Sequence, residues 1–197
     1  MAKQLDKAIG VIVAGVGGQG AITLAQLILG AAWRSDYQCL QSEVHGMSQR
    51  GGAVNAHIVF DSETVTSPLI TEGCADLLIG MEPLETLRYV HLVKADGVII
   101  SAIKPIINMD FYPEIDEVLE ALKTVAGIHL VDTVANARKL GNKHAGNMTL
   151  LGLATNYLPI EVDIWSKILT ESFQSKGDKV INKNIEALNF GRNLIKK

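Results

Sequence analysis

The sequence predicts an α/β fold: a Rossmann-like, doubly wound, mostly parallel sheet with helices on both faces and a helical C-terminal segment. Two observations predict it. Short apolar, β-branched runs alternate with stretches of helical periodicity along the first 132 residues. A glycine-rich turn, GVGGQG at residues 15–20, stands between the first such run and the first helical stripe. The 197 residues, 48% hydrophobic and 20% charged, fit one folded unit. No linker, repeat or low-complexity tract divides them, so residues 1–197 read as a single Rossmann-like domain whose helical part begins near 146.

Residues 8–33 carry no charge and follow Lys3 and Lys7, the outline of a membrane span or export signal. Six glycines argue against both, because each costs a helix about 1 kcal/mol and four of them crowd into residues 15–20. A strand, a turn and a buried helix explain the run. Residues 9–14 (IGVIVA) are the strand, buried on both faces. Leu24, Leu27, Ile28 and Ala31 then fall at i, i+3, i+4 and i+7.

Residues 37–44 read as the second strand. Val54, Ala56, Ile58 and Phe60 alternate with Asn55, His57 and Val59, a strand with one less buried face, and Ser67-Pro68 suits the end of an edge strand. Residues 75–80 (ADLLIG) and 97–102 are further buried strands, the first leading into a helix that Pro83 starts. Ile115, Val118, Leu119, Leu122 and Val125 form a helix stripe, with acids ahead of it and Lys123 near its end. Residues 129–132 are the last strand. In the final helix Ile181, Ile185 and Leu188 face the core. Asn184, Ala187 and Gly191 make a row of small residues read as internal packing.

Net charge is −3, which gives no electrostatic footprint for nucleic acid. Cys39 and Cys74 are too few for an iron–sulfur cluster or a structural zinc, and reduced thiols suit the cytoplasm. In the glycine turn, Gly15 permits the turn, Gly17 and Gly18 let backbone approach a ligand, and Gly20 lets helix and strand pack. The first helical N–H groups beyond Gln19 and Gly20 favour an anion. A dinucleotide site also wants an acid ending the second strand. Asp36 precedes that strand and Glu43 lies far along it, so the test is ambiguous.

The segment 42–52, SEVHGMSQRGG, places Glu43, His45, Ser48, Gln49 and Arg50 with Gly51 and Gly52 at the carboxyl edge of the sheet, where ligand crevices open. Arg50 is the candidate for meeting a phosphate, because its planar fork binds phosphate oxygens bidentately. Neither a nucleophile elbow nor a third catalytic group accompanies it, so no catalytic residue is assigned. The remaining histidines read as structural or solvated.

GVGGQG followed by SEVHGMSQRGG resembles the gamma subunit or domain of the 2-oxoacid:ferredoxin oxidoreductases, and within them most closely the beta-subunit branch of the indolepyruvate enzymes. ADLLIGMEPLETLR (75–88) and GNMTLLGLA (146–154) continue the likeness over nearly the whole chain. The resemblance implies a complex that oxidatively decarboxylates a 2-oxo acid to an acyl-coenzyme A and reduces ferredoxin. Thiamine diphosphate, magnesium and 4Fe-4S clusters are then expected on a larger alpha subunit, with no cofactor held by this chain alone. It further implies that the glycine turn and the 42–52 loop face that subunit and coenzyme A. A stand-alone NAD(P)-binding oxidoreductase, or a non-catalytic nucleotide-binding adaptor, is the alternative; no membrane or nucleic-acid partner is expected.

Overall fold

The computed structural model describes residues 3–45, 51–107, 109, 111–142 and 144–195. β1 (Ile9–Val16) enters the sheet centre, with Val11 and Val13 in the core on one face and Ile12 and Ala14 in the core on the other. That two-sided burial is what its unbroken apolar run requires. α1 (Ala21–Arg34) lays Leu24, Leu27, Ile28 and Ala31 on the first face, as the spacing predicts. β2 (Gln38–His45) and β3 (Ala53–Asp61) form an antiparallel hairpin, in register from Gln38↔Asp61 to His45↔Val54. β4 (Ala75–Gly80), α2 (Pro83–Tyr89), β5 (Val93–Ala102), α3 (Ile115–Lys123) and β6 (Ile128–Val131) follow. The last four helices are α4 (Thr133–Lys139), α5 (Ala145–Ala154), α6 (Val162–Ser172) and α7 (Asp178–Arg192).

The six strands lie in the order β2-β3-β1-β4-β5-β6. β1, β4, β5 and β6 pair in parallel; β3 is antiparallel to both β1 and β2, so β2 runs with the parallel set. The sheet is therefore mixed but mostly parallel in strand direction. Two expectations change. β3 is an interior strand rather than an edge, because it pairs on both sides, and β2 takes the edge. Its alternation instead records an α1-side core of Val54, Ala56, Ile58 and Phe60, backed by a face that carries Asn55 and His57. β5 also begins four residues earlier than its apolar run.

α1 and α4–α7 feed the larger core, whereas α2 covers β1, β4 and β5 on the other face and α3 packs on α2. α5 is buried all round except at Gly146 and Asn147, as its lack of a polar side requires. α7 packs on it at very short range. A Cβ at Gly191 would lie 2.0 Å from the Thr149 carbonyl oxygen, and one at Gly152 1.9 Å from that of Leu188. The small-residue row of α7 is thus an internal helix crossing, as expected. Among the described residues no helix is long and apolar enough to cross a membrane.

Candidate functional site

The carboxyl edge of β1 ends in the glycine turn, and Gln19 fills it. The Val16 N–H donates to Gln19 Oε1 at 2.7 Å, and Gln19 Nε2 donates to the Met81 carbonyl at 2.8 Å. Gly15 makes room for this side chain: a Cβ there would stand 2.9 Å from Gln19 Oε1 and 3.1 Å from Met81 Cβ. Gly20 is the N-cap of α1, with φ of 88° and no side-chain cap. Its Cβ would meet Asn147 Nδ2 at 2.8 Å, so the close approach it permits is to α5 rather than to a strand. Asn147 Nδ2 donates to the Gln19 carbonyl at 2.6 Å and binds the two elements together. Gly18, with φ of 99°, has open space above it.

The far end of the 42–52 segment reaches this turn. The Gly17 N–H donates to the Gly52 carbonyl at 2.8 Å, and Gly51 N–H points back to the Gly17 carbonyl at 3.4 Å, continuing the β1–β3 ladder beyond both strands. Sequence reasoning thus placed Gly51 and Gly52 correctly beside Gly17. Glu43 lies on β2 and accepts a hydrogen bond from Gln41 Nε2, two strands from β1. His45 ends β2. Ser48, Gln49 and Arg50 lie outside the described residues. Asp36 sits before β2 with φ of 63°, at the amino edge of the sheet and opposite the glycine turn. A dinucleotide fold sets its second strand beside its first; here β3 stands between them, about 9–10 Å of sheet, and neither acid reaches the turn.

Sequence reasoning missed the cavity on the other side of the turn. A cleft of about 780 Å³ opens between Gln19, α4 and the start of α5, lined among others by Arg138, Asn142, His144, Gly146 and Asn147. α4 is capped by Asp132, whose Oδ1 accepts from the Ala135 N–H at 2.8 Å, and it ends in Arg138 and Lys139. The N-terminus of α5 has no side-chain cap, so its dipole adds positive potential to that of the exposed Arg138. The available signal was Asp132 followed by a basic last turn and Gly141.

The opposite side of the same edge holds a buried acidic pair. Glu82 caps α2, its Oε2 accepting from the Glu85 N–H at 2.9 Å and its Oε1 from the Tyr112 hydroxyl. Glu85, 2% exposed, pairs with Arg88 Nε at 3.3 Å, and burial pushes its carboxyl up. Burial, followed by the bond to Glu82, raises the Tyr112 phenol well above its ordinary value. His57 and His129 are held as structural imidazoles: the Ile70 N–H donates to His57 Nδ1, and Tyr157 lies 2.7 Å from His129 Nε2.

Among the described residues no donor set for an iron–sulfur cluster comes together. Cys39 packs against the α1 side of β2, and the exposed Cys74 precedes β4. Among the described residues no three His, Cys, Asp or Glu converge as metal ligands. The one Gly-Asp pair, Gly177-Asp178, starts α7.

Strand order and glycine turn together define a Rossmann-like α/β protein with a cleft at the carboxyl edge of its sheet. The family model described as pyruvate ferredoxin/flavodoxin oxidoreductase matches residues 10–194, and the chain belongs to that family. The indolepyruvate oxidoreductase subunit IorB of Archaeoglobus fulgidus is 34% identical over 192 residues, 93% of each chain. The 2-oxoglutarate synthase subunit KorC of Methanothermobacter marburgensis is 28% identical over 186 residues. The keto/oxoacid ferredoxin oxidoreductase gamma subunit from Geobacter sulfurreducens has the same fold, with a TM-score of 0.69 at 18% identity over 94% of each chain. So does the 2-oxoglutarate:ferredoxin oxidoreductase of Magnetococcus marinus, solved with 2-oxoglutarate, coenzyme A and succinyl-CoA bound. Its TM-score is 0.75 at 19% identity, and this chain spans 95% of itself but 31% of that longer chain. The resemblance carried by GVGGQG and SEVHGMSQRGG is borne out.

Proposed function

We propose that this chain is a required, non-catalytic subunit of a cytoplasmic 2-oxoacid:ferredoxin oxidoreductase, with indolepyruvate or another aryl pyruvate as the oxo acid. A larger alpha subunit holds the thiamine diphosphate, magnesium and 4Fe-4S clusters and passes electrons to ferredoxin. Those groups supply the decarboxylation and electron transfer, and the two cysteines of this chain are too few to hold a 4Fe-4S cluster. Its own contribution is a coenzyme A-side platform. The observation that carries this reading is the cleft against the glycine turn, where Arg138 and the uncapped start of α5 favour an anion. Arg138 takes a phosphate oxygen there, while Gln19 and Asn147 keep the floor of the cleft rigid. The family resemblance extends this coenzyme and larger-subunit role to the Glu43–Gly52 segment, Arg50 foremost, of which Gly51 and Gly52 lie on the other flank of Gly17.

The test is steady-state kinetics of the reconstituted complex. Arg138→Gln is expected to raise KM for coenzyme A roughly tenfold, the loss of one charge-assisted hydrogen bond, with KM for the oxo acid unchanged. An unchanged coenzyme A KM defeats the assignment of the cleft. Turnover of an aryl pyruvate by the isolated chain defeats the whole reading.

A further inference from the structure

We propose that the pocket beside the outer edge of β6 binds an adenine base, held by the main chain of Leu130 and the side-chain amide of Asn136. The pocket measures about 380 Å³, within the range of small-ligand sites. It lies on a different flank of α4 from the cleft: Val134 and Arg138 face the cleft, whereas Asn136 lines the pocket. Among the described residues β6 pairs only with β5. The Ile99 and Ile103 N–H groups donate to the Gly127 and Val131 carbonyls, so residues of that parity face β5 and Leu130 turns its own N–H and C=O outward. Neither has a partner among the described residues. Asn136 is the second unmet group. It is 7% exposed, and among the described residues its amide has no hydrogen-bond partner. A buried polar group left in that state costs free energy that a matching ligand returns.

The chemistry of the lining selects the ligand. Leu130 and Asn136 each offer a donor beside an acceptor, so each suits a ligand edge that carries the complementary pair. Adenine has two such edges, because its amino group lies between two ring nitrogens, and an asparagine amide pairs bidentately with one of them. Phosphate is the wrong group for this pocket. Among the described residues no lysine or arginine lines it, and Asp132 brings a carboxylate. Burial lowers the pKa of His129, whose Nε2 lies 2.7 Å from the Tyr157 hydroxyl, so its imidazole is neutral at neutral pH. Leu153, Leu194 and Ile195 supply aliphatic walls for a flat ring. β6 has only four residues and turns half of them outward, so an added peptide strand would gain few main-chain bonds.

Titration of the isotope-labelled full chain with adenosine, followed by amide NMR, reads the site. Adenosine is expected to shift the Leu130 N–H and the Asn136 side-chain amide and to saturate with a Kd of roughly 1 mM or below. Inosine carries an oxygen where adenosine has its amino group, and it should bind at least roughly tenfold more weakly. Asn136→Ala should weaken adenosine by roughly tenfold, and so should Asn136→Asp, which keeps the shape of the side chain and loses its donor. Arg138→Gln should leave adenosine binding unchanged, so the result does not depend on the coenzyme A reading of the cleft. Coenzyme A moving the same two signals identifies its adenine as the base; adenosine moving them where coenzyme A does not identifies a free nucleoside or nucleotide. No shift at these atoms up to about 5 mM adenosine overturns the proposal. So does inosine binding equal to that of adenosine, or an affinity indifferent to both Asn136 variants.

Discussion

Gly191→Ala reports on the close crossing of α7 over α5. The added methyl would stand 2.0 Å from the Thr149 carbonyl oxygen and 2.7 Å from its carbon, about 1.4 Å short of ordinary contact. Main chain cannot rotate away as a side chain does, so α7 must lift from α5. A gap of about 0.5–1 Å already forfeits a quarter to a half of the dispersion energy of the atoms it separates. Overpacking of this kind costs about 1–3 kcal/mol, and an immovable neighbour puts it at the upper end. Alanine returns about 1 kcal/mol through helix propensity. The net loss is about 2 kcal/mol, a fall in Tm of roughly 4–8 °C for a chain of this size. Gly30→Ala is the matched control, because its Cβ meets the Ile168 side chain, Cδ1 at 2.8 Å and Cγ1 at 3.3 Å, which can turn aside. Thermal unfolding followed by circular dichroism compares the two. Equal stability of Gly191→Ala and the parent, or an equal loss in Gly30→Ala, refutes the account of the α5–α7 crossing.

Gln19→Leu leaves the Val16 N–H and the Met81 carbonyl without their partners and should destabilise by roughly 2–4 kcal/mol in urea titration; a loss under about 0.5 kcal/mol would show that the turn holds itself. Tyr112→Phe frees an oxygen of the buried Glu82 and should speed hydrogen exchange across residues 103–114, with about 1–2 kcal/mol lost; unchanged exchange removes the clasp. Burial lowers the pKa of His57, so the unfolded chain takes up its proton first. The His57 contribution is complete above about pH 6.5 and declines as pH falls through that value, and His57→Gln should flatten the fall in urea midpoint between about pH 7.5 and 5.5. An identical slope in the variant discounts it.

Local signals carried far. The β1 run, the glycines and the Leu24–Ala31 stripe made the first βα unit legible, because each is a contiguous pattern with one physical meaning. The insertion of β3 between β1 and β2 was not legible, since strand order is set by pairings dozens of residues apart and alternation reports only which face is buried. α4 was missed because its seven residues hold too few apolar positions for a periodic stripe. The cleft went with it, being formed where that short helix meets α5. Gln19 read as part of a ligand-binding motif, whereas the fold uses its amide to plug the turn from within. Gly51 and Gly52 were found because proximity at the carboxyl edge follows from strand direction alone.

The bond from Asn147 to the Gln19 carbonyl makes the N-terminal signature hostage to the far half of the polypeptide. A shortened version ending after β6 would retain every strand and both diagnostic motifs, yet lack the bracket that seats the 15–20 turn. Grafting the nucleotide-fold-like front half onto another protein should therefore fail unless α5 travels with it, and α7 must follow α5 to cover its other side.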